Sequence, residues 1–268
     1  MQDQTIYYRK THNRTIIIAI LAVVLVAVGI VVWMTAFRRG SRVSVSEGIA
    51  YIRSMEQVDT SAVEKDIFSM KKEKILNGIR ERLDEDPDLV WTMLNEINTV
   101  ILGDSRAVAF GTYGLIDENR VLAEGGKKID EISSHYEELK AINPRLVVLH
   151  YGLNEIWWGY STPEEFAEAC CGYVDEIQSF LPDAYIYINS IMPPNEDGEA
   201  ISEGYAVARE WSAAEIEYYK EHGYRYLDIS YLADEHPEYY GEDGVHFYPG
   251  FYYYWGDEIL LKYLEDSE

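Results

Sequence analysis

From Asn98 onward the chain alternates short apolar runs with longer stretches in which apolar positions recur at helical spacing. The pattern predicts strands near 99–102, 119–123, 146–150, 184–189 and 224–228, with helices around 106–113, 127–140, 163–181, 201–222 and 250–265. Val100-Ile101-Leu102 and Leu146-Val147-Val148-Leu149 are apolar throughout, as expected of strands covered on both faces. Strands alternating with helices imply an α/β fold with a mostly parallel sheet and helices on both sides, a three-layer α/β/α sandwich. Ahead of it, 44–57 and 61–83 are rich in helix formers, and Asp86-Pro87-Asp88 opens a short helix around Leu89 to Glu96. Residues 38–97 therefore read as a helical stalk or packed extension, and 98–268 as one domain.

A different pattern occupies the start. Thr15 to Phe37 carries no charge and is dominated by Ile, Val, Leu and Ala. At 1.5 Å per residue this run reaches roughly 34 Å, enough to cross a hydrocarbon core of about 30 Å. A cleaved signal peptide has a shorter apolar region and a small-x-small exit, whereas this run leaves through Ala36-Phe37-Arg38-Arg39. A transmembrane anchor over 15–37, after a tail of residues 1–14, is expected. Arg9, Lys10 and Arg14 on one side nearly balance Arg38, Arg39 and Arg42 on the other, so flanking charge does not orient it.

The formal net charge is −24. Six of the 23 basic residues and one of the 47 acidic ones lie in residues 1–42, leaving −29 on the remainder. Such a surface repels nucleic acid and anionic headgroups, and no basic patch argues for either partner. The six histidines, at 12, 135, 150, 222, 236 and 246, show no metal-ligand spacing. Cys170 and Cys171 are neighbours, too close for an ordinary disulfide, on a helix begun by Thr162-Pro163-Glu164-Glu165.

Candidate chemistry lies where predicted strands end. Gly103-Asp104-Ser105-Arg106 follows the first strand, and Asp243-Gly244-Val245-His246 lies near the C-terminus. A serine hydroxyl becomes a useful nucleophile only with a base in hydrogen-bond reach and an acid that orients the base. Ser105, His246 and Asp243 are the candidates. Acyl transfer also needs donors for a developing oxyanion, and Asn154 of Tyr151-Gly152-Leu153-Asn154-Glu155 would sit beyond the carboxyl end of the third strand. Gly103 to Ala107 differs from the Gly-x-Ser-x-Gly elbow of α/β-hydrolases only at its last position. That fold, however, separates acid from histidine by far more than three residues and places several strands ahead of the serine.

Taken in order, these segments resemble the SGNH, or GDSL-like, hydrolase family over roughly residues 97 to 266. The resemblance implies Ser105 as nucleophile, His246 as base and Asp243 as its orienting acid. It also implies an oxyanion hole from the N–H of Ser105, the N–H of Gly126, with Gly125 the close alternative, and the Asn154 amide. No cofactor or metal is implied. Two positions depart from the family pattern: Arg106 replaces an apolar residue, and Glu155 an aspartate whose part is structural. Arg106 would attract an anionic substrate or answer a neighbouring carboxylate. Trp157 and Trp158 are candidate sugar platforms or packing residues, as are the rings following His246, where Phe251 and Trp255 have helical spacing. His150 reads as a satisfied core histidine.

The resulting expectation is a single-pass membrane esterase with its catalytic domain outside the cell membrane. The resemblance implies ester substrates, O-acetyl esters of envelope or extracellular carbohydrate foremost. An O-acyltransferase working with a membrane partner shares the same acyl-enzyme, and a catalytically silent anchored binding protein is the reading from another class.

Overall fold

The computed structural model describes residues 18–35, 45–56 and 61–267. The chain divides into two compact units, one ending at Ile67 and the other beginning at Phe68. The first holds helix α1 (Ile18–Thr35), helix α2 (Val45–Glu56) and the start of α3 (Ser61–Glu85). All of α1 is solvent-exposed, and it is long and apolar enough to be a membrane span or a signal sequence. The ends of the expected anchor, 15–17 and 36–37, fall outside the described residues, as do the tail and parts of the expected stalk, 38–44 and 57–60.

The second unit contains α4 (Leu89–Ile97), β1 (Thr99–Gly103), α5 (Ser105–Thr112), β2 (Val121–Ala123), α6 (Tyr136–Ile142), β3 (Leu146–His150), α7 (Glu155–Trp158), α8 (Pro163–Phe180), β4 (Tyr185–Asn189), α9 (Glu196–Ile201), α10 (Ala208–His222), β5 (Tyr226–Leu227), α11 (Leu232–Glu235) and α12 (Phe251–Asp266). The five strands pair in parallel in the order β2-β1-β3-β4-β5. Strand order reverses between β1 and β3, and ligand sites of open parallel sheets form at that switch point, beyond the carboxyl ends of the strands.

Alternation along each strand separates two cores. Ile101, Val148 and Tyr187 face α4, α5 and α12, whereas Val100, Leu102, Val147, Leu149 and Ile188 face α6, α8 and α10. The expected three-layer sandwich is observed. Its buried aliphatic and aromatic side chains each contribute about 1.5–3 kcal/mol by leaving water. Val90, Trp91 and Leu94 of α4 are buried in the first core, with Trp91 against Gly256 of α12, so the compact unit begins well before residue 98.

Two predicted helices are broken. The 127–140 segment is a 3-10 turn over Ile129–His135 followed by α6, and the 201–222 segment contains the end of α9, a 3-10 turn over Glu203–Val207, and α10. In the second case the Ser202 side chain accepts from the Gly204 N–H and restarts the chain after α9. Cys170 and Cys171 are free and buried on α8, where burial pushes both thiols above their ordinary pKa.

Candidate active site

The β1–α5 junction fixes Ser105. Gly103 ends the strand where a Cβ would stand 2.5 Å from both Ala107 Cβ and the His150 carbonyl oxygen, so only glycine lets the chain turn there without displacement. Asp104, buried and in extended conformation, caps α5 by accepting from the Arg106 N–H at 3.0 Å. Burial raises the pKa of its carboxyl, against the lowering effect of Arg106. Ser105 is then the first residue of α5, and its own N–H has no acceptor within the helix.

His246 approaches from a loop closed at its base by the antiparallel Tyr240–Phe247 bridge and by the Gly241 N–H donating to the His246 carbonyl at 2.7 Å. Asp243 Oδ1 accepts from the N–H groups of Val245 and His246, both at 2.9 Å, while Oδ2 lies 2.6 Å from His246 Nδ1. Partial burial works to raise the Asp243 pKa, but these hydrogen bonds outweigh it and hold the carboxyl down at about 2. An ionised carboxylate only accepts, so Nδ1 carries the proton and Nε2 presents its lone pair. That nitrogen lies 2.8 Å from Ser105 Oγ. The Asp243 and His246 side chains are each 46% exposed, so this hydrogen-bonded chain lies in an open site within reach of water.

Two loops flank the serine. Glu124–Lys127 is a tight turn in which the Lys127 N–H donates to Glu124 O, with Gly125 and Gly126 at its centre. Gly126 has φ +78°, while a Cβ on Gly125 would lie 3.8 Å from Ser105 Cβ. The turn thus sits beside the serine, with Gly125 in contact distance and Gly126 supplying the left-handed residue. Beyond β3, Gly152 has φ +121° and packs where a Cβ would collide with Ile191. Asn154 follows, and its Nδ2 donates one hydrogen to Lys127 O at 3.0 Å, leaving the other uncommitted by that bond.

Glu155 joins these two loops. Its carboxylate is wholly buried and accepts the Gly152 N–H at 2.8 Å and the Ile129 N–H at 2.6 Å. Burial raises its pKa to about 7, opposed in part by the Ile129 hydrogen bond. The longer glutamate spans a gap between the Gly152 loop and the segment after Gly126.

With this geometry, the sequence model of the GDSL-like Lipase/Acylhydrolase family matches residues 101–252, more than half of the chain. The chain belongs to this family. A 65-residue stretch is 35% identical to the platelet-activating factor acetylhydrolase IB subunit beta homolog of Drosophila melanogaster, covering 24% of this chain and 28% of that protein. The chain thus spans under a third of that curated relative. Among solved structures it is similar to a GDSL-like lipase from Bacteroides thetaiotaomicron, at 13% identity over 63% of this chain and 88% of the other, TM-score 0.49. It is also similar to an acetylxylan esterase from Geobacillus stearothermophilus, at 15% identity over 61% and 90%, TM-score 0.42.

Within this GDSL-like frame the remaining candidates separate. Arg106 is 1% exposed, so its guanidinium does not face substrate; the neighbouring carboxylate is Asp104, whose charge acts on it, though no carboxylate among the described residues lies within ion-pair distance. It donates instead to the main-chain carbonyls of Val245 and Met192. Trp157 and Trp158 remain at the surface, 43% and 78% exposed, with nearly parallel rings and centroids 6.4 Å apart. Phe251 and Trp255 are buried in the core, as packing predicts. His150 is buried edge-on to Trp255, and burial followed by the Arg106 charge drives its pKa well below the ordinary value; it is a neutral core ring but not the satisfied one expected, since its Nδ1 has no hydrogen-bond partner among the described residues. Glu155, Gly152 and Arg106 were legible in the sequence only as motif positions; the hydrogen bonds that give them structural parts join segments distant in the chain.

Proposed function

We propose that this chain is a membrane-anchored serine esterase that removes acyl groups, O-acetyl foremost, from carbohydrate esters, with its catalytic domain outside the membrane. The observation that carries the reading is the unbroken hydrogen-bonded chain from Asp243 Oδ2 through His246 to Ser105 Oγ, at 2.6 and 2.8 Å.

In this mechanism His246 Nε2 takes the Ser105 proton as Oγ attacks the ester carbonyl, while Asp243 stabilises the imidazolium. The N–H groups of Ser105 and of Gly126, with Gly125 its alternative, and the free hydrogen of the Asn154 amide receive the oxyanion. Each such donor is worth about 3 kcal/mol in the transition state. Collapse expels the alcohol, which takes its proton from His246, and leaves the acyl group on Ser105. Water, activated by the same histidine, then releases the acid.

Support for a carbohydrate alcohol comes from the paired faces of Trp157 and Trp158, which end the short helix that starts after Asn154 and offer flat apolar surface to a sugar ring. The surface charge, strongly negative, suits a neutral polymer better than an anionic one. Support for the anchor comes from the length and apolar surface of α1.

The test is hydrolysis of p-nitrophenyl acetate by the full chain in detergent, beside Ser105→Ala and His246→Ala at matched folding. Loss of turnover in both variants is expected. Turnover that survives Ser105→Ala refutes the assignment. Protease protection of the domain in intact cells would reverse the topology.

A further inference from the structure

The side chain next to the nucleophile candidate is a buried cation that the Asp104 carboxylate answers by charge but without a salt-bridge contact, its hydrogen bonds going to main-chain carbonyls, an expensive arrangement that needs a compensating role. We propose that Arg106 is a positioning residue that sets the register between the helix carrying Ser105 and the loop carrying Asp243 and His246. The proposal rests on the reading of Ser105 and His246 as nucleophile and base.

The contacts are specific. Arg106 Nε donates at 2.9 Å to the carbonyl of Val245, the residue between Gly244 and His246. Nη1 donates to the carbonyl of Met192, in the segment that follows β4. The guanidinium carbon lies 5.3 Å from the ring centre of Phe247, the residue after His246. The main chain is held as well, since Tyr252 Oη of α12 donates to the Arg106 carbonyl at 2.9 Å. One residue therefore ties α5 to the His246 loop, to the β4 exit and to α12.

Arginine is the side chain that can do this. Its rigid planar fork presents donors in several directions, whereas lysine offers a single flexible ammonium and leucine offers none. The Val245 carbonyl is the point of leverage, because its peptide unit continues directly into the His246 N–H that Asp243 Oδ1 accepts. Movement of that carbonyl would carry the imidazole away from Ser105 Oγ. A displacement of about 1 Å at a reacting pair costs on the order of 100-fold in rate. The Gly244 carbonyl, which accepts the Asn195 N–H at 2.9 Å, braces the loop from its other side.

The experiment compares the full chain with Arg106→Lys and Tyr252→Phe, the latter removing one hydroxyl from the network while keeping the ring. The readouts are steady-state kinetics on p-nitrophenyl acetate and the hydrogen-bonded Nδ1–H resonance of His246 in histidine-labelled protein. For Arg106→Lys the expected result is a kcat loss of roughly 10- to 100-fold with KM within about twofold, and a shifted or lost resonance. Tyr252→Phe should show the same signature at several-fold. Folded Arg106→Lys with unchanged resonance and kcat overturns the proposal, and if that variant does not fold, an unchanged Tyr252→Phe overturns it. A wild type that hydrolyses no ester while the variants still move the resonance would sink the esterase reading and sustain the positioning role.

Discussion

Replacing Glu155 by glutamine should destabilise the protein by an amount that depends on pH in a direction the structure dictates. The carboxylate accepts two buried N–H groups, from Gly152 and Ile129, and an amide offers only one accepting oxygen. One N–H must then face an NH2 group, at a cost of about 1–3 kcal/mol for an unsatisfied buried donor. The wild-type group has its folded pKa raised to about 7 from an ordinary value of 4.5. A raised carboxyl pKa contributes stability that is fully present below the unfolded pKa and is lost as pH rises through the folded one. At 1.36 kcal/mol per pKa unit, the stability carried by Glu155 falls by about 3 kcal/mol between pH 4.5 and pH 8. The side chain introduced by Glu155→Gln does not titrate, so urea unfolding of both proteins at each pH isolates this term from the other acidic groups. The wild-type advantage should be largest near pH 4.5 and should shrink, or reverse, at pH 8. An advantage that stays constant, or grows, with pH would refute the assignment of a buried, raised carboxyl.

Other outcomes follow from the same geometry. Asp243→Asn should keep the fold but lower kcat by about 10⁴, because an amide no longer enforces the tautomer that leaves Nε2 free; kinetics on p-nitrophenyl acetate measures it. Asp243 itself, held down at about 2, contributes stability that is present above its unfolded pKa of 3.8 and lost as pH falls through 2, readable as a smaller acid-side loss of Tm in Asp243→Asn. Gly103→Ala forces a methyl against Ala107 Cβ and the His150 carbonyl and should cost about 1–3 kcal/mol in thermal unfolding, with kcat falling as Ser105 shifts. Trp158→Ala, at an exposed position, should leave stability within about 0.5 kcal/mol while lowering kcat/KM on an acetylated oligosaccharide more than on p-nitrophenyl acetate. Equal losses on both substrates would remove the sugar-platform reading.

What the sequence disclosed and what it hid divide along physical lines. β1 and β3 were legible because strands covered on both faces are continuous apolar runs, and α8 because Thr162 and Pro163 announce its start. The four-residue α7 left no periodicity to detect, and the 201–222 segment read as one helix because Ser202 restarts a chain whose apolar spacing continues across the break. The serine, acid and histidine candidates were readable as motifs, whereas the choice between Gly125 and Gly126 depends on a turn that spacing does not fix. Arg106 was legible only in part. In a chain this acidic an arginine suggests a carboxylate partner, and nothing local indicates that its hydrogen-bond acceptors are carbonyls at Met192 and Val245.

The separation of these partners along the chain also orders events during synthesis. Ser105 and His246 are 141 positions apart, and the loop that brings them together is braced through Arg106 by Tyr252 of α12. Chains emerge from the ribosome amino end first, so β1 and α5 are complete long before α12 can dock on them. Until then a serine at a preformed helix start has no base beside it. On the proposed reading of Ser105 and His246, a nascent chain of this design is chemically quiet until α12 docks on the core.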